Sequence, residues 1–202
     1  MPNWAFTQYR VKGDEKELKA LSEAMEKMSQ LTTKNQPVET DFGTNFLGNL
    51  VALLGGDSEK VYCRGTLTEH LLSQSGELLT FSTETAWREL GEIREFLKDK
   101  FPSLEILYNT EEPGMCEYYT NDPEWYKEHQ YFLDCCIDDS SVFIEPSYFP
   151  SLEKVAEYMN SCLNPKDKIQ PTLESIDEFT MNWQEEHEND YFNVNHYELV
   201  YD

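Results

Sequence analysis

Lysine and arginine stop well before the chain does. Residues 171–202 contain neither, against nine Asp and Glu. The deficit is general, with 16 basic residues facing 39 acidic ones for a formal charge of −23. It is also uneven: residues 1–60 carry seven basic and nine acidic side chains (net −2), and residues 61–202 carry the remaining −21. Such a surface repels nucleic-acid phosphates and anionic membranes, so direct contact with either is not expected, and a basic or DNA-binding protein is the expected kind of partner. Long apolar runs are missing too. The longest, residues 46–54, is far too short to span a bilayer. Met1-Pro2-Asn3-Trp4 opens directly into a strand-like run, so no signal peptide is expected. A soluble cytoplasmic protein is the expectation.

Motifs of catalysis are equally scarce. The five cysteines (Cys63, Cys116, Cys135, Cys136, Cys162) have no CxxC spacing, which fits reduced thiols better than a disulfide framework or a zinc site. His70, His129, His187 and His196 are scattered and form no HExxH. There is no GxSxG, and Gly55-Gly56-Asp57-Ser58 lacks the lysine and spacing of a phosphate loop. Asp138-Asp139-Ser140-Ser141 lacks the glycine and terminal glutamate of a calcium loop and reads as a turn. No catalytic residue, metal or cofactor is expected.

What the chain does have is a core. Apolar residues make up 39 % and aromatics 13 %, enough in 202 residues to bury an interior despite the charge. Residues 4–11 alternate as a strand. Asp14 and Glu17 have the spacing of a capping box, and Leu18, Leu21, Met25 and Met28 make the stripe of a helix running to about Gln30. Residues 45–54 suit a short helix closed by Gly55-Gly56. A strand over 60–72, a turn at 73–76 and a strand over 77–83 predict a hairpin. The period then changes. Leu90, Ile93, Leu97 and Phe101 predict a helix over 86–100, with Thr83 or Thr85 as its cap and Glu84 and Glu89 near its first turn. A strand over 104–111 follows, with Pro113-Gly114 as a turn.

The second half continues with an extended run at 115–120 and strands at 130–137 and 142–144. A helix after Ser151 carries Leu152, Val155, Ala156, Met159 and Leu163. Another, capped by Ser175 with Glu178, carries Ile176, Phe179 and Trp183, and an aromatic strand occupies 191–201.

The early order, strand–helix–hairpin–helix–strand, is βαββαβ: an α+β, ferredoxin-like antiparallel sheet with its helices on one face, extended by later strands and helices. We expect one such domain over residues 1–170, with an insertion at about 32–60. An acidic helix–strand extension over 171–202 would pack on it.

Met1-Pro2-Asn3-Trp4, Thr83-Glu84-Thr85-Ala86-Trp87 and Glu111-Glu112-Pro113-Gly114 together resemble a family of YubB-like proteins of phages, plasmids and bacterial mobile elements, over roughly residues 1–160. Where that family often has Pro shortly after the Trp, this chain has Arg88-Glu89. The resemblance implies a ferredoxin-like domain and brings no activity with it.

Two functional classes follow. The first is a non-enzymatic accessory or interaction protein, in its sharper form an acidic mimic of DNA that occupies a DNA-binding protein. The second is an enzyme, or a small-molecule or cation binder, using an acidic-aromatic pocket of Glu84, Trp87, Glu111, Glu112 and Tyr118 at the start of the second core helix. Homodimerisation through an exposed apolar sheet face is a third possibility.

Overall fold

A computed structural model describes residues 2–137 and 142–201. The Asp138–Ser141 turn therefore lies outside the described residues. The chain forms two compact units, Met1–Glu117 and Tyr118–Asp202. The division falls between Glu117 and Tyr118, and the tail from Pro171 belongs with the second unit.

In the first unit, β1 (Trp4–Lys12) alternates as its sequence does, burying Ala5, Thr7, Tyr9 and Val11. Helix α1 (Glu15–Ser29) buries the expected stripe of Leu18, Leu21, Met25 and Met28, each fully enclosed. Each such side chain contributes about 1.5–3 kcal/mol by leaving water. Asp14 caps α1 by accepting from the Lys16 amide at 2.9 Å. The expected capping box is only half formed, because Glu17 does not reach back to Asp14. Its carboxylate instead accepts from the Ser103 amide (3.0 Å) and hydroxyl (2.7 Å), while the Asp14 amide donates to Ser103 Oγ at 2.9 Å.

Helix α2 (Leu47–Leu53) ends on Gly55, whose φ of +80° lets the Gly55 and Gly56 amides return to the Ala52 and Val51 carbonyls. Strands β2 (Gly65–Leu72) and β3 (Leu79–Ala86) form the expected hairpin, with a bulge between Leu67 and Glu69. β2 begins at Gly65, not near residue 60.

The larger difference is at the far end of β3. The strand runs on to Ala86, and α3 (Gly91–Lys100) begins four residues after Trp87 with no side-chain cap. Thr83 and Thr85 are therefore not helix caps. Both are buried strand residues paired with Thr7 and Ala5, because a neighbouring strand offers a full ladder where a cap offers one bond. β4 (Glu105–Glu112) completes this unit's sheet, with the order β2-β3-β1-β4 and every pairing antiparallel.

The second unit contains β5 (Glu117–Thr120), α4 (Pro123–Tyr126), β6 (Tyr131–Cys136), β7 (Ser147–Phe149), α5 (Leu152–Leu163), α6 (Leu173–Glu186), β8 (Tyr191–His196) and β9 (Glu198–Leu199). β7, β6 and β8 make a three-stranded sheet of their own. β9 lies parallel to β5. The extra strand falls at 147–149, not at 142–144. Helix α6 starts two residues before Ser175, capped by Thr172 Oγ1 accepting from the Ser175 amide at 3.2 Å. The expected stripes of α5 and α6 meet the sheet in one core of Leu133, Cys135, Val155, Ala156, Met159, Ile169, Ile176 and Phe192.

The architecture is thus mixed α and β, with a multi-strand antiparallel sheet and six helices among the described residues. None of these helices is long and apolar enough to cross a membrane.

Candidate functional site

Alternation along β1 turns Trp4, Phe6, Gln8 and Arg10 to the face of the sheet opposite the buried Ala5, Thr7, Tyr9 and Val11. Register places Glu84 of β3 and Glu111 of β4 on either side of Phe6, with Thr66 of β2 beyond Glu84. Glu84 and Glu111 thus share a face and a row, but a phenylalanine stands between them. At about 4.8 Å per strand their backbones are roughly 10 Å apart. Phe6 is 47 % exposed and Trp4 37 %. Trp4 also meets Phe42 edge-on at 6.5 Å, and Phe42 stacks on Phe46.

The other expected site residues lie elsewhere. Glu112 follows Glu111 and so points to the opposite face, where it is buried. Its carboxylate accepts from the Gly114 amide at 3.0 Å and the Met115 amide at 2.8 Å, closing the Pro113-Gly114 turn. Trp87 leaves β3 with φ at +75°, a left-handed conformation that a bulky side chain rarely adopts, and its amide donates to the Asn3 carbonyl at 2.9 Å. It is 45 % exposed. Tyr118 belongs to the second unit, packed edge-on against Tyr197 at 5.4 Å and tilted against Phe132 at 6.2 Å. Of the five, only Glu84 and Glu111 lie in one row.

Beneath the helices the structure assembles a group that periodicity had not indicated. Glu89, in the turn before α3, is 5 % exposed. One of its oxygens accepts from the Tyr9 hydroxyl at 3.1 Å and from Arg94 Nε at 3.2 Å. The Arg94 guanidinium lies 4.9 Å over the Tyr108 ring, and Tyr9 stacks on Phe81 at 4.3 Å. Burial, and then the Glu89 charge, push the Tyr9 phenol well above its ordinary pKa, so it is a proton donor at any physiological pH. A cavity of about 10 Å³ lies beside this group, lined by Tyr9, Thr83, Arg94 and apolar side chains of α2 and α3. The Thr83 hydroxyl is buried there and makes no hydrogen bond, although it lies near enough to the Tyr9 oxygen to offset part of the upward shift. The space fits one water and no substrate. The sequence signal for this network was an acid five residues before an arginine at the mouth of a helix, but i,i+4 pairing explained those charges equally well.

The second unit contains a repeated device that sequence reasoning also passed over. Trp125 and Trp183 are each followed four residues later by a histidine. His129 stacks on Trp125 at 4.4 Å and 10°, with Nδ1 2.7 Å from the Trp125 carbonyl. His187 stacks on Trp183 at 4.3 Å and 16°, with Nδ1 3.1 Å from the Trp183 carbonyl. The W-x-x-x-H spacing was visible in the chain. Each imidazole meets, near a helix end, a carbonyl that already accepts a backbone amide, Trp125 from Glu128 at 3.2 Å and Trp183 from His187 at 3.0 Å.

Charge separates the units further. Residues 118–202 hold four basic against 19 acidic side chains, a net of −15. On α6, Glu174, Asp177, Glu178, Glu185 and Glu186 are all exposed, with Leu173 and Met181 exposed among them. Among the described residues, no three His, Cys, Asp or Glu side chains group closely enough to hold a metal ion. Neither protein-family models, nor curated proteins, nor solved structures offer a match to this chain.

Proposed function

We propose that the protein is a non-enzymatic accessory protein that engages a basic protein partner through its acidic surface. The observation that carries this reading is α6, whose exposed carboxylates surround Leu173 and Met181 in a segment with no lysine or arginine to neutralise them. Glu174, Glu178 and Glu185 fall along one side of the helix, spaced by about 6 Å and 10 Å at 1.5 Å per residue. The first spacing is close to the roughly 7 Å of two 3.4 Å steps along a DNA strand, and this supports the sharper form of the reading, a mimic of DNA. The first unit, with order β2-β3-β1-β4 and a βαββαβ core into which α2 is inserted, is in this reading a ferredoxin-like domain of the YubB-like kind. The alternative, a pocket at the start of α3, has less support. Glu84 and Glu111 do not converge, Glu112 is occupied by a turn, and the cavity beside Glu89 admits only water.

Capture from bacterial lysate at low salt, followed by elution with duplex DNA, tests this reading. A basic DNA-binding protein released by the duplex supports mimicry. Release by salt but not by DNA leaves a basic partner without mimicry. No retained basic protein at low salt sinks the proposal.

A further inference from the structure

We infer that the half-exposed patch around Phe6 on the first unit's sheet is a docking surface for an arginine side chain of that basic partner. The inference rests on the reading above and adds to it a place and a recognition chemistry distinct from α6. Phe6 is the third residue of a central strand, nearly half exposed, where a soluble sheet ordinarily presents a polar residue. Its two cross-strand neighbours on that face are both carboxylates, Glu84 and Glu111. A ring with an acid about 5 Å to its side matches a guanidinium, which can lie over the ring while its edge donates to Glu84.

The surroundings give the surface a direction. Toward the start of β1, Trp4 is exposed and paired with Ala86, and Phe42 stands against the Trp4 ring. Trp87, the residue after Ala86, is also exposed, held by its amide to Asn3 in a strained backbone conformation. Strain of this kind in an exposed bulky residue is a feature that folding alone would remove with a glycine. In the other direction, the next row holds Gln8, Ser82, Asn109 and Glu69, and the one after it holds Arg10. A partner's cations therefore belong at the Trp4–Phe6 end, about 13 Å from Arg10 along the strand. The charge of −8 on residues 1–117, from 12 basic and 20 acidic side chains, favours the same kind of occupant.

The test uses the full chain and two defined probes, hexa-arginine and hexa-lysine peptides, titrated at low salt by calorimetry. Both have the same charge, so an acidic surface alone would hold them about equally. An aromatic ring beside a carboxylate holds arginine more tightly. Phe6→Thr keeps a strand-forming residue, and Glu84→Gln keeps the shape of the side chain. Circular dichroism confirms that each variant folds. We expect hexa-arginine to bind about three- to tenfold more tightly than hexa-lysine, and each variant to lose about threefold or more of the arginine affinity. If both face variants bind as the parent does while Glu174→Gln/Glu178→Gln/Glu185→Gln loses binding, the face is not the site and the α6 reading stands alone. If neither peptide binds the parent chain, this inference and the reading it rests on both fall.

Discussion

Glu89 is a shared acceptor for Tyr9 and Arg94 inside the first unit, so its charge matters more than its bulk. Glu89→Gln keeps the shape but leaves the Arg94 guanidinium, 11 % exposed, facing an amide instead of a carboxylate. We expect a loss of about 3 kcal/mol in urea unfolding, several times the cost of removing an exposed pair such as Lys60–Asp57. Two further consequences concern pH. Tyr9 has a raised pKa in the folded chain, so the unfolded state gives up its proton first as pH climbs. The stability Tyr9 contributes is complete below pH 10 and is lost above it. Burial likewise pushes the Cys63 and Cys135 thiols up to about 11 from 9.0, and their contribution is lost as pH rises from 9 toward 11. Unfolding midpoints should hold to pH 9 and fall beyond it. Cys63→Ala/Cys135→Ala should move that onset up toward pH 10, where the limb due to Tyr9 begins and which Tyr9→Phe would flatten.

Among the elements, α1 is tied to the chain just after α3 through the hydroxyl and amide of Ser103. Ser103→Ala removes the acceptor of the Asp14 amide and one donor to Glu17. A loss of about 1 kcal/mol is expected, with hydrogen exchange rising first at the N-terminus of α1. This contact also marks where reading the sequence succeeds and where it stops. The stripe of α1, the alternation of β1, the β2-β3 hairpin and the Gly55-Gly56 stop are local patterns, and they were legible because neighbours in the chain decide them. The end of β3 was not. Thr83 and Thr85 suit a cap and a strand equally, and Thr7 and Ala5, some eighty residues away, decide between the two. The same limit hid the candidate surface. Glu84 and Glu111 were singled out from sequence, but Phe6 between them is a matter of register, which no single segment specifies. Glu89 looked like a first-turn acid until the late start of α3 placed it in a buried turn.

For the whole molecule, charge and the division into two units set the behaviour. Units with separate cores need not melt together, and calorimetry should resolve two transitions instead of one. The unit of residues 118–202 carries −15 on 85 residues, so self-repulsion weakens it more at low ionic strength. Raising sodium chloride from 0.05 to 0.5 M should stabilise it by about 1 kcal/mol, moving its transition up by about 4–8 °C and the other unit's by less.

The stacked histidines have an optical consequence. The four tryptophans divide evenly, Trp4 and Trp87 in one unit, Trp125 and Trp183 in the other. Only the second pair has an imidazole laid flat on the indole. An imidazole in van der Waals contact drains the excited indole. The native protein should therefore glow mostly from its first unit. Replacing His129 and His187 with alanine should restore the missing light. A quantum yield unchanged by both replacements would mean that the rings do not stay stacked in solution.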